Sequence, residues 1–230
     1  LKRIFLDKDL VSIGERISIP ADFTRHLKVL RVKPGQEFSF STLKSQSGRL
    51  RVVDEKSLEI LSLDSPNPPL PISALCAITK RSEDLIEKLS ELGVESITFF
   101  EAERSVVKDS RKLERFEKIA KASASQSNRA SPISIKLLGS LKLALSEIQS
   151  ENKLVAALVD GATPLAAEIK PTSTAFAVGP EGDFTLDEYE LLFQFGFKPV
   201  SLGNLVLRSE TAALSMAATI ANLLYSQKSG

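Results

Sequence analysis

Four prolines stand within six residues, at Pro66-Asn67-Pro68-Pro69-Leu70-Pro71. Proline fixes φ and carries no amide hydrogen, so the run interrupts helix and sheet ladder alike and favours an extended connector. With Asp64 and Ser65 before it, this seam predicts two domains, 1–68 and 72–230. A chain of 230 residues has room for one small and one medium domain.

The two sides differ in style. Before the seam the pattern is short and β-like. Arg16–Ile19, Glu37–Phe40, Arg49–Val53 and Leu58–Leu63 read as strands, Lys33–Gln36 and Ser45–Gly48 as turns, and Ala21–Leu30 as one helix. That describes a small β-rich domain of barrel size. After the seam, strand and helix alternate. Strands are expected at Ala74–Thr79, Ser96–Phe100, Leu154–Asp160, Ala175–Gly179 and Pro199–Leu202. Helices are expected at Glu83–Leu92, with Ser82 as N-cap and Gly93 as C′, at Lys112–Ser127, at Thr185–Phe195 and at Ser209–Ser226. Thr185-x-x-Glu188 fits a capping box. Such alternation predicts an α/β domain with a mainly parallel sheet covered by helices on both faces.

Composition narrows the chemistry. Hydrophobic residues at 43% and charged residues at 26% are ordinary globular usage and exclude a disordered chain. One cysteine, Cys76, excludes an internal disulfide, and one histidine, His26, excludes HExxH zinc chemistry; no metal is expected. No apolar run approaches the length of a membrane span, and Leu1–Asp7 is too short and too soon charged for a signal peptide. A cytoplasmic protein is expected, with no membrane partner. Neither GxGxxG nor GxxxxGK[ST] is present, which disfavours nicotinamide cofactors and P-loop hydrolysis. GxSxG is absent as well, so a serine hydrolase is poorly supported.

Three glycine-bearing loops follow three of the expected strands: Val159-Asp160-Gly161-Ala162, Gly179-Pro180-Glu181-Gly182-Asp183-Phe184 and Leu202-Gly203-Asn204-Leu205. In open parallel sheets ligands bind beyond the carboxyl ends of the strands, and glycine admits close backbone approach. The loops are either three unrelated turns or one pocket lined by main chain. Leu207-Arg208-Ser209-Glu210-Thr211-Ala212 then enters the final helix. Ser209 as a cap and Glu210 as a complement to the helix dipole explain two of these residues. Arg208 is left over, because a cation at a helix N-terminus is unfavourable unless an anion meets it.

Basic residues cluster twice. Arg25, Lys28, Arg31 and Lys33 fall together in the first domain, and Arg111, Arg115, Lys118 and Lys121 share one side of the helix near 111–124. Arg104, Lys108 and Arg129 extend that second stripe. The stripe is either a solvated face of an amphipathic helix or part of a polyanion site. Cys76 lies in an apolar strand and is expected to be buried and inert, and His26 to be structural.

The segments Gly179–Phe184 and Leu202-Gly203-x-x-Val206-Leu207-Arg208-Ser209-Glu210-Thr211-Ala212 resemble the RsmE-type 16S ribosomal RNA (uracil-N3)-methyltransferases of the SPOUT superfamily. Glu91–Val94, Glu103–Val106, Gln126-Ser127-x-Arg129 and Val29-Leu30-Arg31-x-x-x-Gly35 match in the same order. The resemblance implies an N-terminal PUA-like β-barrel that binds RNA and a C-terminal SPOUT domain with a trefoil knot. It implies S-adenosyl-L-methionine as methyl donor, 16S rRNA or the small ribosomal subunit as partner, and a homodimer. The donor would be held by Leu158, Asp160 and Gly161, by Val178, Gly179, Pro180, Glu181 and Gly182, and by Leu202, Gly203, Asn204, Val206 and Leu207, with Thr211 and Ala212 at the head of the last helix. Arg208, Glu210 and Glu181 are the candidates for catalysis, with the base left open among them. Arg104, Gln126 and Arg129 are candidates for RNA contact or for completing a partner's site, beside Arg25, Lys28, Arg31, Arg115 and Lys118. Alternatives are a non-catalytic RNA-binding protein of this fold, a metabolic enzyme with a Rossmann-like pocket, and a methyltransferase acting on another RNA position such as a ribose 2′-hydroxyl.

Overall fold

The computed structural model describes residues 3–20, 23–24, 31–44, 46–64, 68–105, 112–127 and 129–228. The chain forms two compact units, one of Leu1–Pro69 with Lys121–Pro132, the other of Leu70–Ala120 with Ile133–Gly230. The excursion of 121–132 into the first unit has no counterpart in the sequence pattern.

The first unit holds strands β1 (Arg3–Phe5), β2 (Arg16–Ser18), β3 (Glu37–Ser41), β4 (Ser47–Val52) and β5 (Ser57–Leu63). Among the described residues they make one mixed sheet in the order β1-β3-β4-β5-β2, curled into half a barrel rather than a closed one. Period-two alternation sends Leu50 and Val52, Leu58 and Ile60 inward, where they meet Ile4, Leu6, Ile17 and Phe40. Segment 121–132 is fastened here by polar contacts. The Arg129 carbonyl accepts from Arg3 Nη1 at 3.0 Å and from Ser41 Oγ at 2.7 Å. Most of the helix expected over Ala21–Leu30 lies outside the described residues, as do Arg25, Lys28 and His26.

The second unit begins with β6 (Leu70–Ala77), α1 (Ser82–Glu91), β7 (Val94–Phe100) and α2 (Leu113–Gln126), whose last turns belong to the first unit. There follow β8 (Ser134–Leu138), α3 (Leu141–Ser146), β9 (Asn152–Ala156), β10 (Thr163–Pro164) and α4 (Leu165–Glu168). The chain closes with β11 (Thr174–Val178), α5 (Leu186–Gln194), β12 (Lys198–Ser201) and α6 (Ser209–Lys228). The seven strands are all parallel, in the order β10-β12-β9-β11-β6-β7-β8.

The pleat sorts the core onto two faces. Ile72, Ala74 and Cys76 face a layer containing Leu85, Leu89, Phe116, Met216 and Ile220. Leu75 and Ala77 face the other way, onto Leu141, Leu145, Tyr189 and Leu192. Burial pushes the Cys76 thiol up to about 12, which keeps it protonated and unreactive. No helix among the described residues is long and apolar enough to cross a membrane.

Three details depart from the sequence expectations. Pro71 lies inside β6, where the register with β7 shifts between Leu70 and Ser73; the irregularity spares the ladder a hydrogen bond that proline cannot make. Ser82 is the first residue of α1 and not its cap: its hydroxyl accepts from the Thr79 N–H and donates to the Thr79 carbonyl, both at 3.0 Å. Strand β9 ends at Ala156, not Asp160, because the chain turns at Val159–Ala162 to form β10. Gly93 does end α1 with φ +82, a left-handed backbone that glycine adopts without strain.

Candidate active site

β12, β9 and β11 are neighbours in the sheet, so the loops after them emerge side by side at its carboxyl edge. Between them lies a cavity of about 250 Å³. Its walls are Ala156–Leu158, Val178–Glu181 with Asp183, Leu202 and Gly203, and Leu205–Ser209 with Ala212.

The sequence expectations meet this cavity unevenly. Leu158, Val178, Gly179, Pro180, Glu181, Leu202, Gly203, Val206, Leu207 and Ala212 line it, and so does Arg208. Asp160, Gly161, Gly182, Asn204, Thr211 and Glu210 are not part of its walls. Asp160 and Gly161 are carried off by the turn toward β10. Glu210 belongs to the first turn of α6, where it complements the helix dipole. Ala156, Ala157 and Ser209 are walls that no expectation named as such; Asp183 and Leu205 belong to the expected glycine-bearing loops but not to the residues expected to hold the donor. A β9 ending at Ala156 is the signal that would have found the first two.

Each wall has a local cause. Gly179 allows Phe184 to fold back under it: a Cβ there would stand 3.1 Å from the Phe184 ring and 3.2 Å from its nitrogen. Phe184 is buried, stacked on Phe100 at 6.2 Å and edge-on to Tyr189 at 5.4 Å. Asp183 adopts φ +61, and its carboxylate accepts from the Phe184 N–H at 2.8 Å and from the Tyr189 hydroxyl at 2.9 Å. Burial, then the Asp183 carboxylate, hold the Tyr189 phenol above its ordinary pKa, so the hydroxyl stays a donor. The Ser209 hydroxyl donates to the Gly179 carbonyl at 2.5 Å and ties the head of α6 to this loop.

Arg208 is exposed at the cavity wall. Among the described residues no hydrogen bond or ion pair holds its guanidinium. The basic residues expected to meet RNA are differently placed. Arg115 pairs with Glu83 at 2.6 Å and Lys118 with Glu114 at 2.7 Å. Arg129 is half-buried and gives its Nε to the Ser131 carbonyl at 2.9 Å. Arg104 Nη1 donates to the Gly182 carbonyl at 2.9 Å. Arg31 and Gln126 are exposed.

The cavity suits an adenosyl group. Its walls are mostly aliphatic, and among the described residues the main-chain groups of 204–207 make no hydrogen bond within the chain. An apolar slot edged by unspent backbone donors and acceptors is how proteins hold a flat heterocycle.

The sequence matches the RNA methyltransferase domain family over residues 66–221. The ribosomal RNA small subunit methyltransferase E of Synechocystis sp. is 32% identical over 222 residues, spanning 86% of this chain and 70% of its own. The Aquifex aeolicus protein of the same name is 29% identical over 208 residues, spanning 86% and 90%. The crystal structure of a ribosomal RNA small subunit methyltransferase E from Neisseria gonorrhoeae, bound to S-adenosyl methionine, superposes with a TM-score of 0.86 at 31% identity, over 97% of this chain and 98% of that one. This chain is thus an RNA methyltransferase, built on an all-parallel seven-stranded sheet. Within that class it belongs to the ribosomal RNA small subunit methyltransferase E family.

Proposed function

We propose that this methyltransferase binds S-adenosyl-L-methionine in the cavity between the β9, β11 and β12 loops and methylates N3 of a uridine in 16S ribosomal RNA. The observation that carries the reading is the convergence of three loops on one apolar slot with free main-chain groups and an unengaged arginine at its wall. The bound donor supplies a methyl group made electrophilic by its sulfonium. The loops would hold the adenosine through the 204–207 main chain and the Val178, Leu202 and Leu207 side chains. Glu181 puts negative charge on the wall, complementary to a cationic sulfonium.

Uracil N3 carries a proton at neutral pH and lies on the pairing edge, so the base must be unpaired before it reacts. Charge grows on the uracil oxygens as that proton leaves for a base, for which Glu181 offers a carboxylate on the wall, and N3 would take the methyl group as its bond to sulfur breaks, leaving a neutral thioether. A guanidinium already in place stabilises this charge without reorganising, and Arg208 is placed for that role. The rest of the rate comes from alignment of nucleophile and methyl group. The first unit, with Arg31 exposed, is proposed to grip phosphates as a PUA-like module. A homodimer, a knotted C-terminal chain and a cytoplasmic location complete the reading. Leu205 and Val206, exposed at 78% and 82%, offer apolar surface beside the cavity for a second copy.

Mass mapping of ribosomal RNA from cells with and without the protein tests the substrate. One base-methylated uridine in the small-subunit RNA should vanish in the deletion and return on complementation. A mark lost from a ribose 2′-hydroxyl, or no lost mark at all, would sink the assignment.

A further inference from the structure

We infer that Arg104 is a positioning residue for the methyl-donor cavity, holding the loop that carries Glu181 rather than meeting RNA. This rests on the donor-binding reading of the cavity.

Gly182 shows why. Its backbone is not in the left-handed region that demands glycine, so conformational freedom does not explain the missing side chain. Space does. A Cβ at 182 would stand 3.3 Å from Arg104 Cβ, 3.5 Å from its Cδ and 4.0 Å from its Cγ. The aliphatic stem of Arg104 therefore lies along Gly182, and its Nη1 ends on the Gly182 carbonyl at 2.9 Å. Glycine at this position makes room for one arginine.

The arginine is itself braced. Its neighbour Glu103 donates its N–H to Glu188 Oε1 at 2.9 Å, while Glu188 Oε2 accepts the Thr185 N–H at 2.9 Å. One carboxylate thus caps α5 and fastens the loop after β7. The Ala102 N–H and the Ser105 hydroxyl close that loop at 3.1 Å. A charged donor held at both ends and spent on a backbone carbonyl is built for geometry. Both guanidiniums are exposed, but that of Arg208 is unspent, whereas a phosphate would have to displace the Gly182 carbonyl to reach Arg104.

The test titrates the full-length chain with S-adenosylmethionine by calorimetry and with small-subunit ribosomal RNA across a salt series. Arg104→Ala should weaken S-adenosylmethionine about tenfold, the order expected for a hydrogen bond from a charged donor. RNA affinity should stay within about twofold, with an unchanged slope of log K on log salt. Arg104→Lys, which keeps a cationic donor, should restore most of the affinity. If the alanine variant does not fold, Arg104→Gln carries the same two readouts. Wild-type affinity for S-adenosylmethionine in the variants, or a salt slope reduced by about 0.7, would overturn the inference in favour of a phosphate contact. A wild-type chain that gives no heat with S-adenosylmethionine would instead overturn the functional reading on which it rests.

Discussion

Two arginines of like exposure have different occupations, and the difference lies in what each touches. Arg208 stands at the head of α6, where the helix dipole disfavours a cation, and no neighbour among the described residues compensates it. Arg104 is spent on a carbonyl. Sequence separates the first case from the bland one, because Leu207–Ala212 is a local motif and the unfavourable charge can be read beside the helix start. It cannot separate the second, since the partner carbonyl is 78 residues away. Arg208→Ala should therefore cut methyl transfer by about a hundredfold, the scale of losing one preorganised charge-stabilising group. Its calorimetric affinity for S-adenosylmethionine should stay within about tenfold, or about 1.4 kcal/mol. Full single-turnover rates in that variant would remove Arg208 from the chemistry.

At the level of elements, legibility follows length and locality. The buried strands β6, β7, β9 and β11 announce themselves as apolar runs closed by turn residues. The α5 start is readable because its two capping residues are three apart, and both halves of the box are present. β8 escapes such a reading because Ser134–Leu138 is only partly buried and its lysine breaks the run. Helix α3 is six residues long, and β10 is a two-residue edge pairing; neither offers a period to detect. The α5 cap matters beyond its helix, because Glu188 also receives the Glu103 N–H. Thr185→Ala should cost about 1 kcal/mol, as loss of an N-cap side chain does, read as a lower urea midpoint with unchanged slope. It should also weaken S-adenosylmethionine binding a few-fold, since the loop before the cap forms a cavity wall. A stability loss with unaltered binding would confine the cap to its helix.

On the whole molecule, a net charge of +1 leaves no long-range attraction for RNA, so any grip must come from local patches. The sequence displays such a patch on α2, but it cannot display the acids that come to face it. Arg115 meets Glu83 from α1, and Lys118 meets Glu114 one turn back on its own helix. Arg115, Lys118 and Glu114 are largely exposed and Glu83 partly so, and ion pairs of that kind contribute about 0–1 kcal/mol, so a phosphate displaces the carboxylate at little cost. The pairing therefore lowers the local potential without disarming the face. Replacing both cations, Arg115→Gln with Lys118→Gln, should lower the slope of log K on log salt for small-subunit RNA by about 1.4, since each phosphate left unneutralised on single-stranded RNA removes about 0.7. Because neither residue approaches the cavity, S-adenosylmethionine affinity should not move. A slope identical to that of the wild type would mean that α2 keeps its carboxylates in the complex and that its stripe is a solvated surface.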